Sequence, residues 1–429
     1  MDGLVYPDRT VHTGLLEYKN VYRPARVISY NKESGELVLH NYMDFDDLKD
    51  YVKISYELTQ DGLVISKGIL PEFSVAPHSE GKTNLQVNVP ENGKCYLKLI
   101  YHLKKEMPLL EEDYILGFDE IEVSQKDAKC QLAEKWVEKT VTDSELQVSE
   151  DDTQIHIKGR EFVYTIDRRT ALFTEMKFAG REYLNHPMEL NIWRAPTDND
   201  MYIKSEWKKA HYDKAYTRAY TTEVVQGKHG VKITSHASVV AETVQKILDV
   251  TITWKIEAAG KIDADIAVTK DDEFPDLPRF GVRMFLDKKL SAVRYFGMGP
   301  QESYCDKHQA ASHGLYRADV GDLHEDYIRP QENGSHYDCE YVELNNSRYG
   351  IVASAEKAFS FNASYYTQEE LEKKTHNYEL IESDSVVFCV DYALNGIGSN
   401  SCGPVVLEQY RFDDVLFRFQ FTLIPYVKG

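Results

Sequence analysis

From Ala25 onward, apolar and polar residues alternate with a period of two, the pattern of strands buried on one face. Residues 27–30 and 37–42 flank Asn31-Lys32-Glu33-Ser34-Gly35, which predicts a hairpin with a positive φ at the glycine. Ile54, Tyr56 and Leu58 alternate with Lys53, Ser55 and Glu57, and Asp61-Gly62 then turns the chain into Leu63-Val64-Ile65. Residues 95–103 and 121–123 supply further strands. Short strands with turn signals at this spacing predict a small β-sandwich of immunoglobulin type over residues 25–125.

Residues 126–150 are polar and charged and read as a linker, with Trp136 and Val137 docked onto a neighbour. A larger body is expected over 151–429, with strands at 155–157, 162–166, 172–178, 231–234, 250–257, 262–268 and 281–286. Two long strands, 405–412 and 416–424, are expected to close it. Helices are few. Thr367-Gln368-Glu369-Glu370 is a capping box that opens a helix running to about residue 375. A second helix is expected over 202–216, with Trp207 on its buried side. So many strands make an all-β chain, an immunoglobulin-like sandwich followed by one large antiparallel sandwich. Residues 1–24 show no alternation until Val21 and read as a tail leaving a preceding domain.

Composition narrows the partners. A net charge of −20 argues against nucleic acid and anionic membranes, because phosphate surfaces demand clustered Lys and Arg. No apolar run approaches the ~20 residues of a membrane span. None of the six cysteines stands at zinc or redox spacing, which fits a reducing, cytoplasmic compartment. No basic segment followed by an apolar stretch opens the chain.

Three stretches are dense in chemistry-bearing groups. The first is Trp193-Arg194-Ala195-Pro196-Thr197-Asp198-Asn199-Asp200. Its carboxylates, amide and indole suit sugar hydroxyls and apolar sugar faces; equally, Asp198 and Asp200 can cap a turn and pair with Arg194. The second runs from Tyr295 through Glu302, His308 and His313 to Glu332-Asn333-Gly334. A retaining glycosidase needs two carboxyl groups about 5–5.5 Å apart, a role conceivable for Glu302 and Glu332; alternatively each satisfies backbone N–H groups in its turn. The third is DYALNGIGSNSCGP, residues 391–404. It begins like a phosphate-binding G-x-G-x-x-G, but Ser401 replaces the third glycine and Pro404 follows where a helix should open. A projecting surface loop is the reading that remains.

These same stretches carry a family resemblance. NIWRAPTDND (191–200), LPRFG (277–281), YFGMGPQESYCDKHQAASHGLY (295–316), YIRPQENG (327–334), SYYTQEEL (364–371) and GIGSNSCGP (396–404) resemble, in order and spacing, the C-terminal part of β-galactosidases of glycoside hydrolase family 2. DGLVYPDRT (2–10) and LLEYKN (15–20) are similar to the end of that family's catalytic barrel. The resemblance implies an immunoglobulin-like connector followed by a supersandwich similar to galactose mutarotase. The acid/base and nucleophile glutamates then lie on the barrel, outside this chain, and the chain itself has no catalytic residue. Whole family members hydrolyse terminal β-galactosides with retention, assisted by magnesium and sodium; no cofactor is implied for this chain alone. Its implied partners are the barrel, as domain or separate subunit, the galactoside, and further copies in a homo-oligomer. One loop of the C-terminal domain borders the galactose pocket and carries a tryptophan in the best-known member. Cys402 matches that position, between Ser401 and Gly403, in a loop one residue shorter. Asp2 falls where the family can carry a sodium-coordinating asparagine. A stand-alone carbohydrate-binding or mutarotase-like domain, whose acid and base would be Glu332 with His313 or His336, and a natural small subunit are the alternatives; the resemblance itself gives that pair no support.

Overall fold

Leu37 and Leu39, and Leu97, Leu99 and Tyr101, stand two residues apart along their strands and are completely buried, which draws the first sandwich together. The computed structural model describes residues 3–125 and 146–428. Strands β1 (Ala25–Tyr30), β2 (Glu36–Asn41) and β5 (Glu80–Asn84) form one sheet of this sandwich in the order β1-β2-β5. Strands β3 (Val52–Gln60), β4 (Leu63–Ile69), β6 (Cys95–Leu103) and β7 (Ile115–Ser124) form the other, ordered β4-β3-β6-β7. The expected first hairpin is present, with Gly35 at φ 73°.

The second body has its own, larger core, centred on Trp207, Trp254, Phe173 and Phe280. A five-stranded sheet, β12-β11-β10-β9-β8, comprises β8 (Gln147–Glu150), β9 (Gln154–Lys158), β10 (Phe162–Asp167), β11 (Leu172–Phe178) and β12 (Arg181–Glu182). It adjoins a twelve-stranded antiparallel sheet. Nine of those strands run β13-β18-β23-β22-β24-β17-β16-β15-β14: β13 (Leu184–Asn191), β14 (Tyr216–Gln226), β15 (Gly230–Val240), β16 (Leu248–Glu257), β17 (Ile262–Lys270), β18 (Arg279–Asp287), β22 (Tyr349–Ser364), β23 (Ser385–Leu394) and β24 (Leu416–Val427). The other three, β19 (Ala292–Gly299), β20 (Ser312–Asp319) and β21 (Ser335–Asn345), join through β22. The end strands β13 and β14 approach one another, so the sheet is nearly closed.

The two bodies meet through polar groups. Lys94 pairs with Glu340 at 2.9 Å, and Lys98 donates to Ser312 Oγ at 2.8 Å. His313 on β20 is held between Glu120 of β7 (2.8 Å) and Asp338 of β21 (2.7 Å), with its ring stacked on Tyr96.

In four places the structure adds to or departs from the expectations. Residues Thr13–Val21, within the segment expected as a tail leaving a preceding domain, form helix α1, whose buried residues, Thr13 and Asn20, are polar. Asn20 there donates to the carbonyls of Phe118 and Gln309 and accepts from the Phe118 amide, so hydrogen bonds rather than apolar periodicity seat the helix. The expected linker over 126–150 contains strand β8; residues 126–145, with Trp136 and Val137, lie outside the described residues. The helix expected over 202–216 is only Ile203–Lys209, because His211 turns into the left-handed region (φ 58°) and Tyr216 begins β14; Trp207 is buried as expected. Residues 405–412 are no strand: Val405 and Leu407 are exposed around a single 3₁₀ turn at Glu408–Tyr410. The helix at the capping box is Gln368–Lys373, with Thr367 Oγ1 accepting from the Glu370 amide.

Candidate functional site

Strand β23 ends at Leu394, and the chain then leaves the sheet as a loop held from three sides. Beneath it lies Arg194, fully buried. Its Nη1 donates to the Asn395 carbonyl (2.5 Å) and its Nη2 to the Gly396 carbonyl (3.1 Å), while Nε and Nη2 grip the Asp200 carboxylate at 3.1 and 2.7 Å. On one flank Asp306 accepts from the Ile397 amide (2.9 Å) and the Gly398 amide (2.7 Å). On the other, Asn199 donates to the Gly398 carbonyl (2.6 Å) and accepts from the Ser401 hydroxyl (2.7 Å). The tip turns back on itself, with the Cys402 and Gly403 amides donating to the Ser399 carbonyl at 3.2 and 2.7 Å. Cys402 is exposed there, alone in this among the described cysteines.

The segment that supplies Arg194 and Asn199 is folded by its own sequence. The Asn191 side chain accepts from the Trp193 amide as β13 ends, and Thr197 opens a 3₁₀ turn, Asp198–Asp200. Asp200 accepts from the Thr197 amide at 2.8 Å as well as from Arg194, the turn-and-pair arrangement the sequence allowed. The Asp198 amide donates to Gln331 Oε1. Trp193 is 3% exposed, edge-on to Trp207, with its indole N–H on Glu372, so its faces belong to the core.

Two further buried clusters lie behind the loop. Arg279 at the start of β18 grips Asp391 of β23 at 3.2 and 2.8 Å and reaches Glu332 Oε2 at 3.3 Å. Glu332 Oε1 has no hydrogen-bond partner among the described residues. Burial pushes both carboxyls up, with Arg279 opposing it in each. Glu302 sits in a different network. Its carboxylate accepts from Lys307 (2.5 Å), the Thr13 hydroxyl (3.2 Å), the Tyr327 hydroxyl and the Gly334 amide (2.8 Å). Burial opposes its charge, but Lys307 and these donors hold the carboxyl below its usual range. Asn333 braces the same corner, accepting from the Glu325 amide and donating to the Gln331 carbonyl. His336 is buried, with Nδ1 on the Met298 carbonyl, and burial pulls it down to about 4. His308 and His313 face different neighbours, the Tyr304 carbonyl and the Glu120–Asp338 pair.

Two clefts flank these elements. One of about 260 Å³ lies between the N-terminal segment and the loops, lined by Tyr6, His12, Asp198, Tyr327, Arg329 and Gln331. The other, about 510 Å³, lies on the sheet behind the loop, lined by Tyr337, Tyr392, Tyr410, Arg411 and Gln409 among others. Neither Glu302 nor Glu332 lines either cleft. A general acid must hold a proton near neutrality and face its substrate; Glu302 is saturated as an acceptor with a lowered pKa, and Glu332 is sealed against Arg279. In this geometry Arg194, Asn199 and Asp306 converge on the loop, while Glu302 and Glu332 are held by other side chains of the chain. Among the described residues no cluster of three His, Cys, Asp or Glu side chains is arranged to hold a metal ion. Asp2 lies outside the described residues.

Sequence reasoning brought Arg194, Asn199, Asp200, Ser401 and Cys402 forward, and the structure gathers them at one loop. It passed over Asp306, Arg279, Asp391, Lys307, Thr13 and Tyr327 as interacting residues. The signal was partial: each lies within a motif already singled out, or next to one, but their pairings span up to 289 and 314 residues.

Comparison with known proteins follows the same division. The family model described as "Beta galactosidase small chain" matches residues 158–423, and that described as "Beta-galactosidase, domain 4" matches 37–124. A β-galactosidase of Actinobacillus pleuropneumoniae is 43% identical over 99% of this chain and 41% of that protein. One of Staphylococcus xylosus is 31% identical over 99% of this chain and 42% of its own length. The chain thus spans about two fifths of the curated relatives it matches. Among solved structures, a galactose 1-epimerase from Lactobacillus acidophilus NCFM aligns at 8% identity and a TM-score of 0.38, over 67% of this chain and 100% of that one, a likeness too distant to inform the site.

Proposed function

The chain belongs to the β-galactosidase small-chain family, and from that membership we propose that it is the C-terminal portion of a β-galactosidase of glycoside hydrolase family 2, non-catalytic alone, which completes the active site and the assembly of the enzyme. The whole enzyme hydrolyses terminal non-reducing β-D-galactosides with retention. Its two catalytic carboxylates belong to the barrel portion, the whole enzyme is assisted by magnesium and sodium, and it works as a cytoplasmic homo-oligomer. The observation that carries this reading is the contrast within the molecule. The loop of residues 395–404 is braced by three side chains yet presents Cys402 to solvent, while the acidic residues behind it are consumed in internal pairs. A retaining mechanism needs two carboxyl groups about 5–5.5 Å apart facing one cleft, and Glu302 and Glu332 line neither cleft beside the loop, which supports placing the reacting pair elsewhere. The purified chain should leave a chromogenic β-galactoside intact, and the same chain joined to its barrel should hydrolyse it. Full turnover by the chain alone would sink the proposal.

The description "small chain" favours a second form of the same reading, a natural subunit paired with a separately encoded barrel. The upstream reading frame decides between them: a stop codon and a new start site support two chains, and an open frame into a barrel supports one. A stand-alone sugar-binding module predicts heat on titration with millimolar galactose or lactose in the absence of the barrel.

A further inference from the structure

Residues 397–401 have no ladder partner, so their place in space is set elsewhere. Asn395 and Gly396 still bond to backbone, through the Pro278 and Tyr410 carbonyls. Beyond them, among the described residues, the loop's bonds to the rest of the molecule pass to two side chains. Asp306 takes the adjacent amides of Ile397 and Gly398 on its two carboxylate oxygens. It spends its charge on these amides, and charge-assisted bonds to N–H groups are stronger than neutral ones. Asn199 uses both ends of its amide: Nδ2 donates to the Gly398 carbonyl, and Oδ1 accepts from the Ser401 hydroxyl and, at 3.3 Å, the Ser401 amide. Close approach is built into the loop as well. A Cβ on Gly396 would stand 2.8 Å from Asp306 Oδ2, so a side chain there would displace the carboxylate.

We infer that Asp306 and Asn199 are positioning residues that fix where the Cys402 tip stands against the rest of the enzyme and thereby tune which leaving group is accepted. The inference rests on the reading that this loop borders the galactoside pocket. Arg194 shares the task but is buried beneath the loop and paired to Asp200, so its removal would disturb the fold itself.

The test uses the complete enzyme, barrel included, carrying Asn199→Ala, Asp306→Ala or Ser401→Ala. The last removes only a half-buried hydroxyl and keeps the test informative if the others fold poorly. Amide exchange across residues 396–402 and the rate of Cys402 alkylation by iodoacetamide report on the loop. Values of kcat and KM across β-galactosides with different leaving groups report on the pocket. Loss of one anchoring bond should speed exchange and alkylation about tenfold. It should also shift the relative kcat/KM between leaving groups several-fold while the melting temperature stays near wild type. Exchange and alkylation unchanged in all three variants would overturn the anchoring. A loosened loop with every leaving group processed as before would overturn the positioning role by removing the pocket reading beneath it, and leave the anchors as fold elements only.

Discussion

Arg279 faces two carboxylates, and the two differ in what they give. With Asp391 it makes two bonds, Nε to Oδ1 and Nη2 to Oδ2; with Glu332 it makes one contact at 3.3 Å, and the other Glu332 oxygen has no partner among the described residues. Removing one member of a buried pair strands the other's charge, so Asp391→Asn should cost roughly 3–5 kcal/mol in urea unfolding. Glu332→Gln should cost under about 1.5 kcal/mol. The pH dependence follows from the direction of the shift. Burial raises the folded Glu332 pKa above the unfolded value, so the native state binds the extra proton between the two. Stability from this group therefore falls as pH rises from the unfolded pKa through the folded one. Glu332→Gln should flatten that part of the stability–pH curve, and an unchanged slope would mean that Glu332 stays ionised throughout. In the complete enzyme, barrel included, Cys402→Trp, at an exposed tip, should leave stability near wild type and alter KM across aglycones more than the requirement for galactose. Identical kinetics across several aglycones would place the tip away from substrate.

Within the loop, Gly398 carries the sharpest local constraint. Its φ is 67°, and a Cβ there would stand 2.6 Å from Val406 Cγ2. Gly398→Ala should cost about 1–2 kcal/mol from the left-handed backbone alone. Adding Val406→Ala should recover only the steric part, which a double-mutant cycle of melting temperatures would resolve. Elements like this one also mark how far the sequence could be read. Strand β16, and β6 from Leu97 onward, were legible because their buried residues alternate, and the helix at Thr367 because its cap is written in four residues. Helix α1 was not, since its buried residues are Thr13 and Asn20, which contribute hydrogen bonds and no hydrophobic period. Residues 405–412 misled for the opposite reason: Val405, Val406 and Leu407 look like a strand, yet two of them are exposed after Pro404. The loop itself was visible as a glycine cluster. Its anchors were not, because Asp306 lies 91 residues from Ile397 and Asn199 lies 202 from Ser401, distances that only the topology closes.

Across the whole molecule, the junction of the two sandwiches is a charged one, and its centre is His313. A neutral imidazole has one N–H, yet both ring nitrogens lie within hydrogen-bond distance of carboxylate oxygens, of Glu120 and Asp338. The arrangement is that of an imidazolium. Burial opposes the charge, but the bonds to Asp338 and Glu120 outweigh it and raise the pKa above the ordinary value. Tyr96 stacks on the ring, and Lys94, paired with Glu340, stands 4.0 Å from Asp338. A His pKa raised in the folded state adds stability that is complete below the unfolded pKa and is lost as pH rises through the folded one. Wild type should therefore exceed His313→Gln by about 1.5–3 kcal/mol at low pH, and the gap in melting temperature should close as the solution turns alkaline. A gap independent of pH would mean that the ring acts by packing alone.

Strand β24 lies between β17 and β22, in the interior of the large sheet, although it follows every other strand of that sheet in sequence. During synthesis the first sandwich, contiguous from β1 to β7 with its own core, is free to fold as it leaves the ribosome. The second must wait. Until Leu416–Val427 emerges, β17 and much of β22 expose unpaired backbone edges, the kind of surface that recruits other nascent chains. A product cut short before Leu416 should thus carry a sound first sandwich and a sticky second one, and be found in the insoluble fraction or bound to chaperones.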